Sequence, residues 1–221
     1  MNPVDAFTFL GQLDLESFVL LFWYLIVFDF GRYSLSIAAV IIERLLPSRK
    51  TEPYRGAVSI LLVGHNEGPR LQKSVRSLEE QTYPGITQVV VVDDGSTDAT
   101  ARIGKRLKAD RRIHTFVSTG IRGGKAAALN LGFRYCLHPV VVTADIDTSF
   151  DRDAVERLVQ PFGDPTVGAV AGNLGVRNTF ASTLTVLQSM QYLFSISLGR
   201  RFTSMMGWLL IVSGAFGAFR R

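Results

Sequence analysis

Two acidic residues end a run of valines in this chain. The stretch "PVVVTADID" (139–147) leads into Asp145 and Asp147, which one residue separates. Like charges at this spacing repel each other unless a cation lies between them. Divalent cations such as Mg²⁺ bind one or two carboxylates together with substrate phosphates, so the pair predicts a metal site facing a phosphate-bearing ligand. The alternative is that Asp145 caps the strand and Asp147 faces solvent.

Other polar residues follow the ends of further apolar runs. "VSILLVGHN" (58–66) ends in polar residues, "TQVVVVDDGS" (87–96) ends in an acidic pair, and the loop "TGIRGG" (119–124) precedes a lysine. Ligands of open α/β sheets bind beyond the carboxyl ends of the strands, so we expect these residues at one edge. The candidates are His65, Asn66, Glu67, Asp93, Asp94, Gly124, Lys125, Asp145 and Asp147.

Neither of the two loop motifs identifies a ligand by itself. "DDGSTD" (93–98) could be only a turn that caps a helix, because Asp, Gly and Ser favour turns. "GIRGGK" (120–125) is similar to a loop whose backbone N–H groups cradle phosphate. It has neither the G-x-x-x-x-G-K-[ST] nor the G-x-G-x-x-G spacing, so it does not predict a Walker A loop or a dinucleotide site.

The elements that position these residues alternate along the chain. Solid apolar runs predict strands, and the segments between them have helical patterns, as in 68–81, 97–112 and 151–162. This alternation, without hairpin signals, predicts an α/β fold with a mostly parallel sheet and helices on both faces. The last part differs: 183–201 predicts a long apolar helix and 208–221 a strand or buried run.

The N-terminal part has the composition of a membrane segment. The run from 18 to 42 is apolar apart from two charges, and ~20 such residues suffice for a transmembrane helix. Acidic residues precede the run, which disfavours a secretory signal peptide. Arg44, Arg49, Lys50 and Arg55 follow it, so the positive-inside rule places residues 47 onward in the cytoplasm. We therefore predict a transmembrane or interfacial helical segment over 16–46, with the number of crossings open.

Composition limits the cellular setting and the partners. The chain has 221 residues, a net charge of +5 and a single cysteine, Cys136. No disulfide can form within the chain, which agrees with a reducing compartment. No run resembles a nucleic-acid-binding arm, so the basic balance predicts contact with a lipid bilayer or a phosphate-bearing ligand, and no nucleic acid.

Taken in order, the motifs resemble the family 2 glycosyltransferases, which have the GT-A fold. The similar stretches are "VSILLVGHNEG", "VVVVDDGSTDAT", "GGKAAALN" and "VVTADID". Beyond them, "GAVAGNLGVRN", "LQSMQY" and "VSGAFGAFRR" resemble the membrane-bound processive branch, which includes the synthases of cellulose, chitin, hyaluronan and poly-N-acetylglucosamine. The resemblance covers roughly residues 55 to 221 and is specific in its combined order.

The resemblance implies transfer of a sugar from a UDP-sugar to a glycan or other hydroxyl acceptor at the cytoplasmic face of the cell membrane, with Mg²⁺ or Mn²⁺ as cofactor. The donor nucleotide would contact residues at the strand tips, with the uridine held by Glu67 and Asp94 and the diphosphate or donor sugar near Lys125. Asp145 and Asp147 would bind the metal, with Asp147 preferred as the direct ligand. The donor-binding set is Asn66, Glu67, Asp93, Asp94, Gly124, Lys125 and Asp145; the acceptor set, within "VSGAFG" (212–217), is Ser213, Gly214 and Ala215.

Composition before residue 57 and the resemblance after it together imply a division of the chain. Residues 1–15 would be a non-cytoplasmic segment, 16–46 the membrane segment and 47–56 a linker. Residues 57–178 would form the nucleotide-sugar-binding domain, and 179–221 an incomplete acceptor-side helix and strand.

The sequence contains no residue that we can assign as the catalytic base. Inverting transfer needs a base that deprotonates the acceptor hydroxyl. Members of the processive branch carry it in an acidic motif followed by Q-x-x-R-W and further membrane helices, and this chain has no Asp or Glu after Asp164. We therefore expect the base beyond Arg221 and a chain truncated at its C-terminus.

Two other functions stay open. One is a non-catalytic, nucleotide-sugar-binding fragment or subunit, completed by other membrane subunits. The second is a phosphatase of the haloacid-dehalogenase type, because "DIDTS" (145–149) resembles the D-x-D-x-[TV] nucleophile motif. The phosphatase is disfavoured, since that motif should open the domain and here follows the fourth strand.

Overall fold

The computed structural model of the protein describes residues 11–12, 14–45, 52–207, 209 and 211–221. These residues belong to two compact units. One combines the N-terminal helices with the segment 174–209, and the other combines residues after 50 up to 173 with the C-terminal segment from 210. These units do not coincide with the segments predicted from sequence, because the last strand joins the sheet, and the roles assigned to the segments stay predictions.

A six-stranded sheet forms the centre of the second unit. Its strands are β1 Val58–Gly64, β2 Ile86–Asp93, β3 Thr115–Ser118, β4 Val140–Asp145, β5 Ala169–Ala171 and β6 Phe216–Arg220. They lie in the order β3-β2-β1-β4-β6-β5. The pairs β1–β2, β1–β4 and β2–β3 are parallel, whereas β6 is antiparallel to both β4 and β5. The α/β prediction is confirmed, and the sheet is mixed on the β6 side.

Helices pack on both faces of this sheet, which explains why its inner strands are largely apolar on both faces. The helices of this unit are α3 Gly68–Glu79, α4 Thr100–Ala109, α5 Lys125–Phe133 and α6 Ala154–Val159, the last continuing into a 3₁₀ turn, Gln160–Gly163. Gly132 of α5 lies so close to Leu61 that a methyl group would collide with it. Gly104 of α4 makes a similar approach to Phe116, on the opposite face.

Helices make up the other unit. They are α1 Leu15–Tyr24, a π-helical segment Leu25–Phe30, α2 Gly31–Leu45, α7 Thr183–Tyr192, a second π-helical segment Leu193–Leu198 and α8 Gly199–Met205. Arg201 of α8 donates to Glu43 of α2 at 2.5 Å, and the rings of Tyr33 and Phe194 lie 5.4 Å apart. Ser182 caps α7 by accepting from Thr185 N at 3.2 Å.

The sequence predicted a transmembrane helix within 16–46, and the structure does not confirm it. Among the described residues, no helix is both long enough and apolar enough to cross a membrane. Most of the predicted N-terminal segment 1–15 and the first half of the predicted linker 47–56 lie outside the described residues. So do Arg49 and Lys50, two of the four basic residues on which the predicted orientation depends.

Candidate active site

A cleft opens beyond the carboxyl ends of β1 and β4. The strand order reverses between these neighbours, and such a switch point is where open α/β sheets bind ligands. The cleft has a volume of about 230 Å³ and brings together seven of the nine strand-tip candidates. Its lining residues are Val63, Gly64, His65, Glu67, Asp94, Arg122, Gly124, Lys125, Asp145, Ile146 and Asp147.

The tip of β4 presents both acidic residues of the D-x-D stretch to this cleft. Ile146 between them is fully buried, and its N–H donates to the carbonyl of Val63 at 3.1 Å. β4 ends at Asp145, and the chain then turns through Ile146 and Asp147. Ile146 packs against Gly64, while the carboxylates on both sides of it line the cleft. Gly64 makes this packing feasible, because a Cβ there would lie 2.9 Å from the Ile146 Cβ.

Lys125 forms an ion pair with Asp145 across the cleft. The lysine is the first residue of α5 and follows Gly124, whose positive φ of 86° suits a glycine. The lysine side chain is 46% exposed and that of Asp145 30%, so water can reach both charges. The predicted phosphate-binding lysine and the predicted metal-binding carboxylate are therefore each other's counter-ions in this structure.

Asp94, at the end of β2, anchors the glycine-rich loop. Its Oδ1 accepts from Gly123 N at 2.7 Å and its Oδ2 from Gly124 N at 2.8 Å. These two N–H groups are thus bound by a carboxylate, which is a correction to the interpretation of the loop as a phosphate cradle. Gly95 lets the loop approach: its φ is 66°, and a Cβ would lie 2.6 Å from Arg122 N.

Asp93 does not line the cleft, although the sequence assigned it to donor binding. Its side chain is fully buried and accepts from Ser96 N at 3.2 Å, from Ser96 Oγ, and from Ser118 Oγ at 2.7 Å. Successive residues at the end of β2 point to opposite faces, which agrees with Asp94 lining the cleft while Asp93 does not. Asp93 joins the ends of β2 and β3 and positions Asp94.

Asn66 likewise has a local structural role. Its backbone has a positive φ of 57°, and its Oδ1 accepts from Thr97 N at 2.8 Å and Asp98 N at 3.3 Å. Asn66 therefore holds the turn after β2 and is absent from the residues that line the cleft. We therefore leave Asn66 out of the donor-binding residues proposed below.

Glu67 lines the cleft together with a cationic neighbour. Its Oε2 lies 2.6 Å from Arg70 Nη1, one turn further along α3. The hydrogen bond to Glu67 and the charge of Glu67 raise the pKa of Arg70, and the charge of Asp147 acts in the same direction. Arg70 is thus a second cation that compensates the acidic residues of this region.

The loop before β6 brings the predicted acceptor residues to the same place. The carbonyl of Ala215 lies 3.4 Å from Asp145 N and 3.5 Å from Thr148 Oγ1. A Cβ on Gly214 would lie 3.3 Å from Lys125 Cε. Ser213 Oγ accepts from Ala215 N at 3.2 Å, which shapes the turn. The predicted donor, metal and acceptor residues are therefore neighbours.

Two lining residues had no role in the sequence prediction. His65 Nδ1 lies 2.8 Å from the carbonyl oxygen of Asp94, so this ring nitrogen is the hydrogen-bond donor. Arg122 lies in the glycine-rich loop. The sequence placed His65 among the candidates at a strand tip but gave it no role, whereas the position of Arg122 depends on the loop conformation that Asp94 and Gly95 determine.

The acidic residues fit a metal that is shared with a ligand. Across the described parts of the chain, no group of three or more His, Cys, Asp or Glu side chains could enclose a metal ion. Mg²⁺ and similar ions need only one or two protein carboxylates when phosphates and water complete the shell. Four carboxylates line the cleft with two cationic side chains, and Arg70 pairs with one of the carboxylates, Glu67. The negative charge that remains favours a divalent cation.

Known proteins match most of this chain. The model of the family "Glycosyl transferase family 2" matches residues 59–221. A poly-beta-1,6-N-acetyl-D-glucosamine synthase of Staphylococcus epidermidis is 32% identical over 180 residues, which are 81% of this chain and 43% of that protein. The protein of the same name from Staphylococcus aureus strain COL is 30% identical over 165 residues, 74% of this chain and 39% of that protein. The chain thus spans less than half the length of these relatives.

One solved structure has a similar fold over most of the chain. It is the mannosyltransferase PcManGT from Pyrobaculum calidifontis, in complex with GDP-Man and Mn²⁺. The TM-score is 0.66 at 28% identity, and the match covers 89% of this chain and 54% of that one. This likeness supports the GT-A description of the sheet and its helices.

Proposed function

The chain belongs to glycosyl transferase family 2, and from this premise we propose that its cleft binds the nucleotide diphosphate of a sugar donor. The observation that carries the proposal is the convergence of Glu67, Lys125, Asp145 and Asp147 on one cleft at the switch point of the sheet. Cations for phosphate and carboxylates for a metal meet there, as donor binding requires.

The donor is a UDP-sugar in this proposal. The named relatives are synthases of an N-acetylglucosamine polymer, which makes UDP-N-acetylglucosamine the first donor to test. Asp94 has acceptor capacity beyond its two bonds to the loop, since a carboxylate offers about four lone-pair sites. With Glu67 and His65 it surrounds the part of the cleft that would take the uridine.

Each residue of the cleft has a distinct task in the transfer. Lys125 and Arg122 bind the diphosphate and stabilise the charge that develops on it as the sugar leaves. Asp145 and Asp147 would hold Mg²⁺ or Mn²⁺, which neutralises the leaving diphosphate when it is bound. Asp94 keeps the backbone of the glycine-rich loop, and so Lys125, in place.

The acceptor side is the loop Ser213–Ala215, which lies beside Lys125 and Asp145. A glycan hydroxyl placed there would be next to the donor sugar, and proximity of this kind is a large part of transfer catalysis. We assign no general base among the residues of this chain. The proposal also includes four features that rest on the sequence alone. They are an inverting outcome, contact with the lipid bilayer, further membrane subunits and action at the cytoplasmic face.

Of the two alternatives, the phosphatase is not retained, because the family match covers the whole "DIDTS" stretch and Asp145 is paired with Lys125. A chain that binds the donor without transferring sugar is retained. Release of UDP from UDP-N-acetylglucosamine with an acceptor oligosaccharide would identify an active transferase. Binding without release would identify a donor-binding protein.

A ligand panel tests the binding proposal. Calorimetry with Mn²⁺ present compares UDP, GDP and inorganic phosphate as ligands of the 221-residue chain. We expect UDP to bind at least about tenfold more tightly than phosphate, a difference of ~1.4 kcal/mol, because the nucleoside adds contacts of its own. Equal affinities would mean that the cleft is only an anion site and would contradict the proposal.

A further inference from the structure

The ion pair between Lys125 and Asp145 conflicts with the simplest view of the donor site. In that view the lysine binds the diphosphate and the carboxylate binds the metal, each independently. In the structure the ammonium group instead neutralises the carboxylate. A divalent cation that approaches Asp145 would meet the positive charge of the lysine, which lowers its affinity for the carboxylate. Lys125 and the cation therefore compete for Asp145.

We propose that Lys125 makes metal binding depend on the nucleotide diphosphate. Without a nucleotide, Lys125 holds Asp145. When a diphosphate enters, the lysine exchanges the carboxylate for phosphate oxygens and leaves Asp145 to the cation. This inference rests on the proposed function and adds to it an order: the cation binds weakly alone and tightly with the nucleotide.

The backbone around Lys125 is fixed while its side chain can move. Gly124 N donates to Asp94 Oδ2 at 2.8 Å, which holds the residue before the lysine, and the helix α5 holds the residues after it. The lysine side chain is 46% exposed. A flexible four-carbon stem with three donors lets the ammonium group change partners without any backbone movement. Arg122 and Asp147 line the same cleft, so phosphate and metal sites are within its reach.

The exchange would also change the acceptor side. A Cβ on Gly214 would lie 3.3 Å from Lys125 Cε and 3.6 Å from its Nζ, so the paired lysine lies against the acceptor loop. Departure of the ammonium group toward a diphosphate vacates that space. Donor binding thus prepares both the metal site and the neighbouring acceptor loop.

Replacement of Lys125 by methionine should change the affinities for Mn²⁺ alone and for UDP in opposite directions, a result that a loss of structure could not produce. Partly exposed ion pairs change an equilibrium by about fivefold at most. Lys125→Met should therefore raise the affinity for Mn²⁺ alone about three- to fivefold, because Asp145 becomes available. The same variant should weaken UDP binding in the presence of Mn²⁺ by about tenfold, because a charge-assisted contact to phosphate is lost. The factor by which UDP strengthens Mn²⁺ binding falls accordingly.

The experiment is a titration of the 221-residue chain with MnCl₂, in which the electron paramagnetic resonance signal reports free Mn²⁺, with and without UDP. Lys125→Arg keeps the charge and should bind Mn²⁺ alone like the wild type. Arg122→Met removes another cation of the same cleft and should raise the Mn²⁺ affinity less than Lys125→Met does, because Lys125 makes the direct ion pair with Asp145. Lys105→Met, an exposed residue of α4, should change nothing.

Two kinds of failure are distinguishable. If UDP and Mn²⁺ bind together but Lys125→Met leaves the affinity for Mn²⁺ alone unchanged or lower, the exchange is wrong and the donor site stands. The exchange is also wrong if Arg122→Met raises that affinity as much as Lys125→Met, since general charge would then explain the gain. If the wild type does not bind UDP with or without Mn²⁺, the proposed function itself fails.

Discussion

Replacement of Asp94 by alanine removes the carboxylate that fastens the glycine-rich loop to the end of β2. Its two oxygens accept from Gly123 N and Gly124 N at 2.7 and 2.8 Å, and the residue is only 4% exposed. A net hydrogen bond to a charged group contributes about 1.5–3 kcal/mol. Water can reach part of the loop in the variant, so we take the lower value for each bond and expect a loss of about 3 kcal/mol.

Asp94→Asn should have a smaller effect than Asp94→Ala. The amide oxygen can accept one of the two N–H groups, while the amide nitrogen is a donor and faces the other. We expect a loss of roughly 1.5 kcal/mol in the free energy of unfolding, about half of the alanine value. The order of the two variants is a stronger test than either magnitude, because it depends on which atoms Asp94 uses.

Urea unfolding and amide hydrogen exchange measure these effects together. In Asp94→Ala, the amides of Gly123 and Gly124 should exchange about a hundredfold faster, as ~3 kcal/mol implies. Asp147→Ala is the matched control, since it removes the same charge from the same cleft but from an exposed position. Unchanged exchange at both glycines in Asp94→Ala would refute the anchoring role, as would equal destabilisation by the control.

Three further predictions concern the surroundings of the site. Gly132→Ala should cost about 1–3 kcal/mol in unfolding free energy, because its methyl group would collide with Leu61; unaltered urea stability would disprove this packing. Gly95→Ala should weaken UDP binding in calorimetry, since its φ of 66° and the 2.6 Å approach to Arg122 N both oppose a side chain; wild-type affinity would contradict this. Burial raises the pKa of the Cys136 thiol from 9.0 to about 11, so the folded state keeps a proton that the unfolded chain loses. Stability present below pH 9.0 should therefore decline by about 2 kcal/mol toward pH 11, and Cys136→Ala should lack that part of the decline in unfolding experiments.

The sequence predicted the elements that depend on local patterns. Runs such as Leu61–Val63 and Val89–Val92 are apolar on both faces because helices cover both, and this pattern indicates buried parallel strands without any knowledge of the fold. The placement of polar residues at the strand tips then followed from one rule about parallel sheets. The cleft that contains Glu67, Lys125 and Asp147 agrees with it.

Features that depend on contacts between distant segments could not be predicted. No local pattern distinguishes Asp93 from Asp94, which lines the cleft, since the side that faces the cleft depends on the pairing of β2 with β1 and β3. The antiparallel position of β6 depends on contacts with β4, about 75 residues away in sequence, as in the Thr143–Gly217 pair. The contact of Lys125 with Asp145 arises only once both neighbouring elements are in place.

The central claim is that the cleft binds a nucleotide diphosphate through a divalent cation held at Asp145 and Asp147. Calorimetric titration of the 221-residue chain with UDP, in Mn²⁺ and again in excess EDTA, tests it most directly. We predict at least about tenfold weaker UDP binding in EDTA, and the same loss in Asp147→Ala with Mn²⁺ present, a difference of ~1.4 kcal/mol or more. Equal UDP affinity in Mn²⁺ and EDTA would contradict the assignment of this acidic pair to a metal.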